Sequence, residues 1–189
     1  MKTPEKPENL SPEAESKRIA LVYGPPQAAA IFVRPYTDAD LPEMLEIWNA
    51  VVREGNAFPQ EEPLDAESGA AFFAQQTFTG VALCCGEICG LYILHPNNVG
   101  RCGHICNASY AVKAASRGRH IGEKLVLHCM DQAKTHAFRI LQFNAVVESN
   151  THARHLYERL GFTQLGTIEG GFRMPDGSFV NICPYYRTL

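Results

Sequence analysis

No run of apolar residues in the chain reaches the roughly 18 needed to cross a bilayer as a helix, and no apolar h-region with a cleavage site opens it. A membrane partner is therefore not expected, and a soluble, cytoplasmic protein is. An excess of positive charge is also missing, since 17 Lys and Arg stand against 20 Asp and Glu for a net charge of −3. That balance builds no broad positive field for a phosphate backbone, which argues against nucleic acid as a partner. The seven cysteines are odd in number and lie mostly inside apolar runs, so they read as buried thiols and not as a disulfide framework. Cys102, His104 and Cys106 alternate as residues on one face of a strand would. They lack a fourth ligand, and zinc pairs favour CxxC or HxxxH spacing, so no metal is expected.

What remains is ordinary globular usage, 46% hydrophobic and 20% charged over 189 residues, enough for one domain with a short appendage. Residues 1–18 carry three prolines and eight charges with almost no large apolar side chains, and IALVYG runs straight into Pro25 and Pro26. Residues 1–30 are expected to form a mobile tail able to add one edge strand, and residues 31–189 the domain.

From Phe32 the periodicity alternates between strand and helix. FVRPY predicts a strand; Leu41, Leu45, Trp48 and Val52 then recur at helical spacing behind the cap candidates Thr37 and Asp38. After the breakers Gly55, Pro59 and Pro63, DAESGAAFFAQQTF predicts a second, weaker helix. VALCC, ICGLYIL and HICNASYAV predict an antiparallel meander. Ile121, Leu125, Cys129 and Ala133 repeat every four residues and predict a helix over 122–136. RILQFNAVV reads as a buried strand, and Asn150 to Leu160 as a short helix stopped by Gly161. The last strands, FTQLGTIEGGF and FVNICPYY, are joined by a hairpin turn at Asp176 and Gly177. This order predicts a mixed α/β (α+β) sheet with helices on its faces.

Two stretches carry chemistry. AVKAASRGRHIGEKLV passes from a strand end through a Gly- and Arg-rich turn into a helix start. Unpaired N–H groups there, with Arg117 and Arg119 as counter-charge, suit a pyrophosphate, although a basic loop leading into a core helix has the same spacing. In VVESNTHARHLYERLGF, Tyr157 follows Asn150 by nearly two helical turns, so the two share a side. A phenol there can serve a leaving group, or pack as a core tyrosine beside Ala153 and Leu160.

Together these stretches resemble the GNAT superfamily of acyl-CoA-dependent N-acyltransferases. Its pyrophosphate motif, (Q/R)xxGx(G/A), is matched by Arg117, Gly118, Arg119, His120, Ile121 and Gly122, with His120 where the first glycine normally stands. Its NxxAxxLYExxGF segment is matched by Asn150 to Phe162. The resemblance spans about residues 31–189 in element order. It implies a mostly antiparallel sheet with a central parallel strand pair and about four flanking helices, acetyl-CoA as co-substrate, and a homodimer. A narrower likeness lies in RCGHICNA and FNAVVESN, which are similar to fungal N-acetyltransferases acting on proline analogues such as azetidine-2-carboxylate. It implies that Asn107 and Asn144 hold the substrate's carboxylate and place its ring nitrogen, with Asn107 counted among the catalytic residues.

The resemblance further implies direct attack of an amine on the acetyl thioester, without an acyl-enzyme. Backbone N–H groups near Ala111 and Val112 would hold the pantetheine arm, Tyr157 would meet the departing sulfur, and Asn150 would line the cofactor site. A small-molecule amine, an amino acid or a cyclic imino acid, is the expected partner. A peptide amine, a xenobiotic amine and a non-catalytic CoA sensor stay open as alternatives. A base is also wanted, because an alkylammonium of lysine-like pKa is only about 0.1% neutral near neutral pH, a penalty of about 4 kcal/mol. Glu148, His104 and His155 are candidates, and spacing selects none of them.

Overall fold

Residues 31–189 are described in the structure, a computed structural model; the tail and edge strand expected over residues 1–30 fall outside the described residues. The elements in chain order are β1 (Ile31–Pro35), α1 (Leu41–Glu54), α2 (Ala66–Ala74), β2 (Phe78–Cys84), β3 (Glu87–Pro96) and β4 (Ile105–Val112). They continue with α3 (Ile121–Thr135), β5 (Ile140–Val147), α4 (Thr151–Arg159), β6 (Thr163–Gln164), β7 (Ile168–Arg173) and β8 (Phe179–Thr188). Four α-helices flank one eight-stranded sheet in the order β1-β2-β3-β4-β5-β8, with β6 and β7 both on the outer side of β8. Every pairing is antiparallel except β4 with β5. Among the described residues no helix is long and apolar enough to cross a membrane.

The apolar side of α1 packs onto one face of the sheet; of the stripe read from the sequence, Trp48 and Val52 are buried there, while Leu41 and Leu45 are only partly buried at its edge. Met44, Ile47, Trp48, Val51 and Val52 are buried there with Phe58, Phe73, Leu91, Ile93 and Ala111. Two polar contacts satisfy what this core would otherwise strand, since the Trp48 indole donates to Gln60 at 2.8 Å and buried Asn49 brackets Leu64. The opposite face is covered by α3, whose Ile121, Leu125, Val126, Cys129, Met130 and Ala133 are buried. Thr37 caps as expected, but it caps a 3-10 turn at Asp38–Asp40 that precedes α1. Within that turn Asp40 accepts both Arg34 guanidinium contacts, at 2.6 and 2.8 Å, and the Thr37 N–H.

Three expectations are corrected. The stretch FTQLGTIEGGF is two strands, because Leu165 donates to the carbonyl of Pro184 between β6 and β7 and Pro184 has no N–H to continue the ladder. Opposite Pro184, β5 carries one extra residue between Phe143 and Val146, a bulge that interrupts the expected buried strand and leaves Asn144 exposed. Cys102 lies in a 3-10 turn and not on the strand with Cys106; it and Cys85 are exposed, whereas the other five thiols are buried.

Candidate functional site

Strands β4 and β5 are each eight residues long, yet they pair only at Ile105 with Ile140 and at Cys106 with Leu141. Beyond that point they part. Lys113 donates to Cys89 on β3 and the carbonyl of His104 accepts from β5, which fixes the alternation along β4. The N–H groups of Ala108, Tyr110 and Val112 therefore turn toward the opening. Of the two residues expected to hold the pantetheine arm, Val112 meets that requirement, while Ala111 turns its N–H to β3.

The carboxyl end of β4 leads into the loop that resembles a pyrophosphate site. Among the described residues, none of the N–H groups from Gly118 through Glu123 has an acceptor. Gly118 and His120 both take positive φ, +79° and +60°, and curl the backbone so that these donors converge at the start of α3. His120 thus supplies the left-handed conformation that a glycine would supply, with its imidazole turned out toward Glu123 at 3.2 Å. Arg117 pairs with both carboxylate oxygens of Glu54 at 2.8 and 2.9 Å, and Arg119 donates to the Cys84 sulfur at 2.7 Å. Ile121 is buried beneath the loop, and a Cβ on Gly122 would meet only Leu156, at 3.7 Å. The six free donors fit a pyrophosphate in hydrogen-bonding character, whereas Arg117 and Arg119 would have to turn from Glu54 and Cys84 to add their charge.

The second stretch is built from helix-ending chemistry. Asn150 is the N-cap of α4, its Oδ1 accepting from the Ala153 N–H at 3.2 Å. At the other end Gly161, at φ +78°, closes a Schellman motif in which Gly161 donates to Glu158 and Phe162 donates to the carbonyl of Tyr157. The ring of Tyr157 stacks within 4.4 Å of Phe143 on β5 and 5.6 Å of Phe162. Both termini thus pin Tyr157 behind the opening between β4 and β5. Burial pushes its phenol well above its usual pKa, so it stays protonated with a hydrogen available to donate.

Asn107 and Asn144 lie on neighbouring strands and, by alternation, both face the α1 side, but they do not bond to each other. Asn107 Oδ1 accepts from the Ala108 N–H at 2.7 Å, at the point where β4 loses its partner. Its Nδ2 is left as the free donor. Asn144 is held in an amide ladder, with Nδ2 donating to Asn97 at 2.7 Å and Oδ1 accepting from Gln142 at 2.9 Å.

Residues 39–162 of the chain match the acetyltransferase (GNAT) family. The chain belongs to the GNAT family. It is 34% identical over 88 residues to the N-acetyltransferase aca1 of Schizosaccharomyces pombe, a match covering 47% of this chain and 42% of that protein. The chain therefore spans less than half the length of that curated relative. A GCN5-related N-acetyltransferase from Kribbella flavida superposes with a TM-score of 0.78 at 34% identity, over 85% of this chain and 98% of that one. A phosphinothricin acetyltransferase from Sinorhizobium meliloti, solved with AcCoA, shares the GNAT fold at a TM-score of 0.79 and 21% identity, over 84% and 88% of the two chains.

Within this GNAT fold the three base candidates from the sequence are scattered. Glu148 accepts from Asn181 at 2.9 Å, and His104 and His155 are exposed at the start of β4 and on α4. Several polar residues near the opening were not singled out in the sequence. His95 lies directly opposite Asn107 in the β3–β4 register, and the Tyr110 hydroxyl is buried with no hydrogen-bond partner. The register of the predicted meander, counted back from Asn107, was the signal that could have found His95.

Proposed function

We propose that this GNAT chain transfers an acetyl group from acetyl-CoA to the amine of a small amino acid or analogue, with cyclic imino acids first among the acceptors. The parting of β4 from β5, with Tyr157 behind it and a cradle of free N–H groups at its end, is the observation that carries this reading. The acetyl-CoA fit is supported by the donor set from Gly118 to Glu123, with arginines 117 and 119 close by in the chain and able to turn from Glu54 and Cys84. When bound, acetyl-CoA supplies the acetyl thioester whose carbonyl carbon an amine attacks as the sulfur departs with its electron pair.

The remaining roles belong to the chain. Val112 and Tyr110 present backbone N–H groups along the opening, available to the pantetheine amides and to charge developing on the carbonyl oxygen. Tyr157 donates a hydrogen bond to the leaving sulfur. Full proton transfer from so buried a phenol to a thiolate of ordinary pKa, about 8.5, is uphill, so donation without transfer is its role. The free Nδ2 of Asn107 donates to the acceptor's carboxylate, while its Oδ1 stays on Ala108. Asn144, locked between Asn97 and Gln142, shapes the wall beside it and has one amide hydrogen left to give.

The test is mass-spectrometric detection of acetylated product from the purified chain, acetyl-CoA and a panel of cyclic imino acids, primary amino acids and polyamines. Product from azetidine-2-carboxylate or a hydroxyproline is the expected result. Product from polyamines alone would refute the role given to the carboxylate.

A further inference from the structure

We infer that His95 is the general base that takes the proton from the attacking amine, and that the open groove beside it seats the amine's carbon skeleton. This inference rests on the reading under Proposed function and supplies the acceptor that reading leaves open.

The ring's chemistry is fixed by one contact. His95 Nδ1 lies 3.0 Å from the carbonyl oxygen of Pro96, which can only accept, so Nδ1 carries the hydrogen. The neutral ring therefore presents its lone pair at Nε2. Its position follows from the β3–β4 register, where His95 is directly opposite Asn107. Directly opposed residues in such a ladder have Cβ atoms about 5 Å apart and on one face of the sheet. The amide proposed to hold the carboxylate and the imidazole proposed to take the α-nitrogen's proton are thus neighbours, as the adjacent groups of an amino acid require.

His95 also lines a shallow, open groove of about 340 Å³ with Phe72, Gln75 and Gln76 from the α2 side and Ile93 from β3. Among the described residues lining it, His95 is the sole titratable one, and its neighbours on β4 and β5, Asn107, Gln142 and Asn144, are uncharged amides. Phe72 and Ile93 offer an apolar wall, and the glutamines offer amides. Such walls suit a small aliphatic or ring skeleton without a second charge. Other candidate bases are committed or remote. Glu148 is bound to Asn181, and His128 sits on the α3 side of the sheet with its Nδ1 at 2.9 Å from the Tyr92 hydroxyl.

In the step assigned to His95, one ammonium N–H bond breaks and its electron pair stays on nitrogen as the lone pair that forms the new N–C bond; as the C–S bond breaks, the nitrogen's second proton passes through water to the departing thiolate. The first proton adds to the Nε2 lone pair. The resulting imidazolium keeps its Nδ1–H on Pro96 and returns the proton to solvent.

The test compares the wild-type chain with His95→Gln and His95→Asn, using an acceptor that the panel has identified. Expected are a loss of kcat/KM of about 100-fold or more near neutral pH, partial recovery as the pH is raised and the amine is neutral in solution, and rescue by added imidazole. Acetyl-CoA affinity and Tm should hold, and His104→Gln should leave the rate and pH profile unchanged. Independently of turnover, adding the amine to the CoA-bound protein should move the 15N resonance of His95 Nε2 as its lone pair accepts a hydrogen bond from the ammonium. Wild-type kcat/KM and pH profile in both variants would overturn the assignment alone, as would an unmoved resonance while the amine demonstrably binds. A wild-type chain that binds acetyl-CoA but acetylates no amine in the panel would overturn the proposed function, and the role of His95 with it.

Discussion

The divided amide of Asn107 gives a quantitative test of its double role. Its Oδ1 serves the fold by accepting from Ala108 at 2.7 Å, and its Nδ2 is free for a ligand. Truncation in Asn107→Ala frees one partly buried N–H, worth about 1 kcal/mol, or about 2–4 °C in Tm for a domain of this size. The same truncation removes the hydrogen bond proposed to a charged carboxylate, worth about 1.5–3 kcal/mol, or about 10- to 150-fold in kcat/KM. Asn107→Asp separates the two effects. A carboxylate oxygen still accepts from Ala108, so Tm should stay within about 2 °C of wild type. The added negative charge repels a carboxylate substrate, so kcat/KM for amino acids should fall at least as far as in Asn107→Ala, while an amine without a carboxylate is spared. Product quantified by mass spectrometry, paired with thermal melts, reads both quantities. The reasoning is refuted if both variants retain kcat/KM within about twofold, or if Asn107→Asp melts as low as Asn107→Ala and loses every substrate equally.

Other outcomes follow from contacts already described. Tyr157→Phe should lower kcat about 10- to 100-fold while leaving the acetyl-CoA Kd, measured calorimetrically, within about twofold; an unchanged kcat would sink its role at the sulfur. Asp40 is held at about 2, below its usual 3.8, chiefly by the hydrogen bonds from Arg34, opposed by burial and helped by the Thr37 amide. Because the folded pKa is the lower one, this stabilisation is fully present above about pH 4 and is lost as the pH falls through about 2. Denaturant melts of Asp40→Asn should therefore show a deficit of about 1–2 kcal/mol at neutral pH, after solvent screening, that closes toward pH 2. A thiol reagent should modify Cys85 and Cys102 quickly in the native protein and Cys106 only on unfolding, since burial pushes the Cys106 thiol up to about 12. Peptide mapping of the modified protein identifies the sites.

Local signals carried most of the fold. The four-residue repeat Ile121, Leu125, Cys129, Ala133 located α3 to within a residue, because the buried face of a helix writes its own period into the chain. Asn150 and Gly161 bounded α4 because cap chemistry acts within a few residues. What was not legible arises between strands distant in sequence. The split of β6 from β7 depends on Pro184 across the sheet, and the bulge at Asn144 depends on the register against Tyr185 and Cys183. The candidate site divides in the same way. Its loop and its tyrosine sit in contiguous motifs, whereas the facing of His95 and Asn107 exists only once β3 and β4 pair.

The left-handed turn at His120 bears on how the anion cradle is held ready. A glycine at that position wanders over both halves of conformational space whenever the loop is empty, and that freedom must be surrendered each time a phosphate docks. Histidine has far fewer states to surrender. The chain therefore meets the entropic cost of shaping the loop once, on folding, and not at every binding event. Under the proposed function, a side chain that contributes nothing to the ring of donors thus bears on how much affinity those donors can deliver.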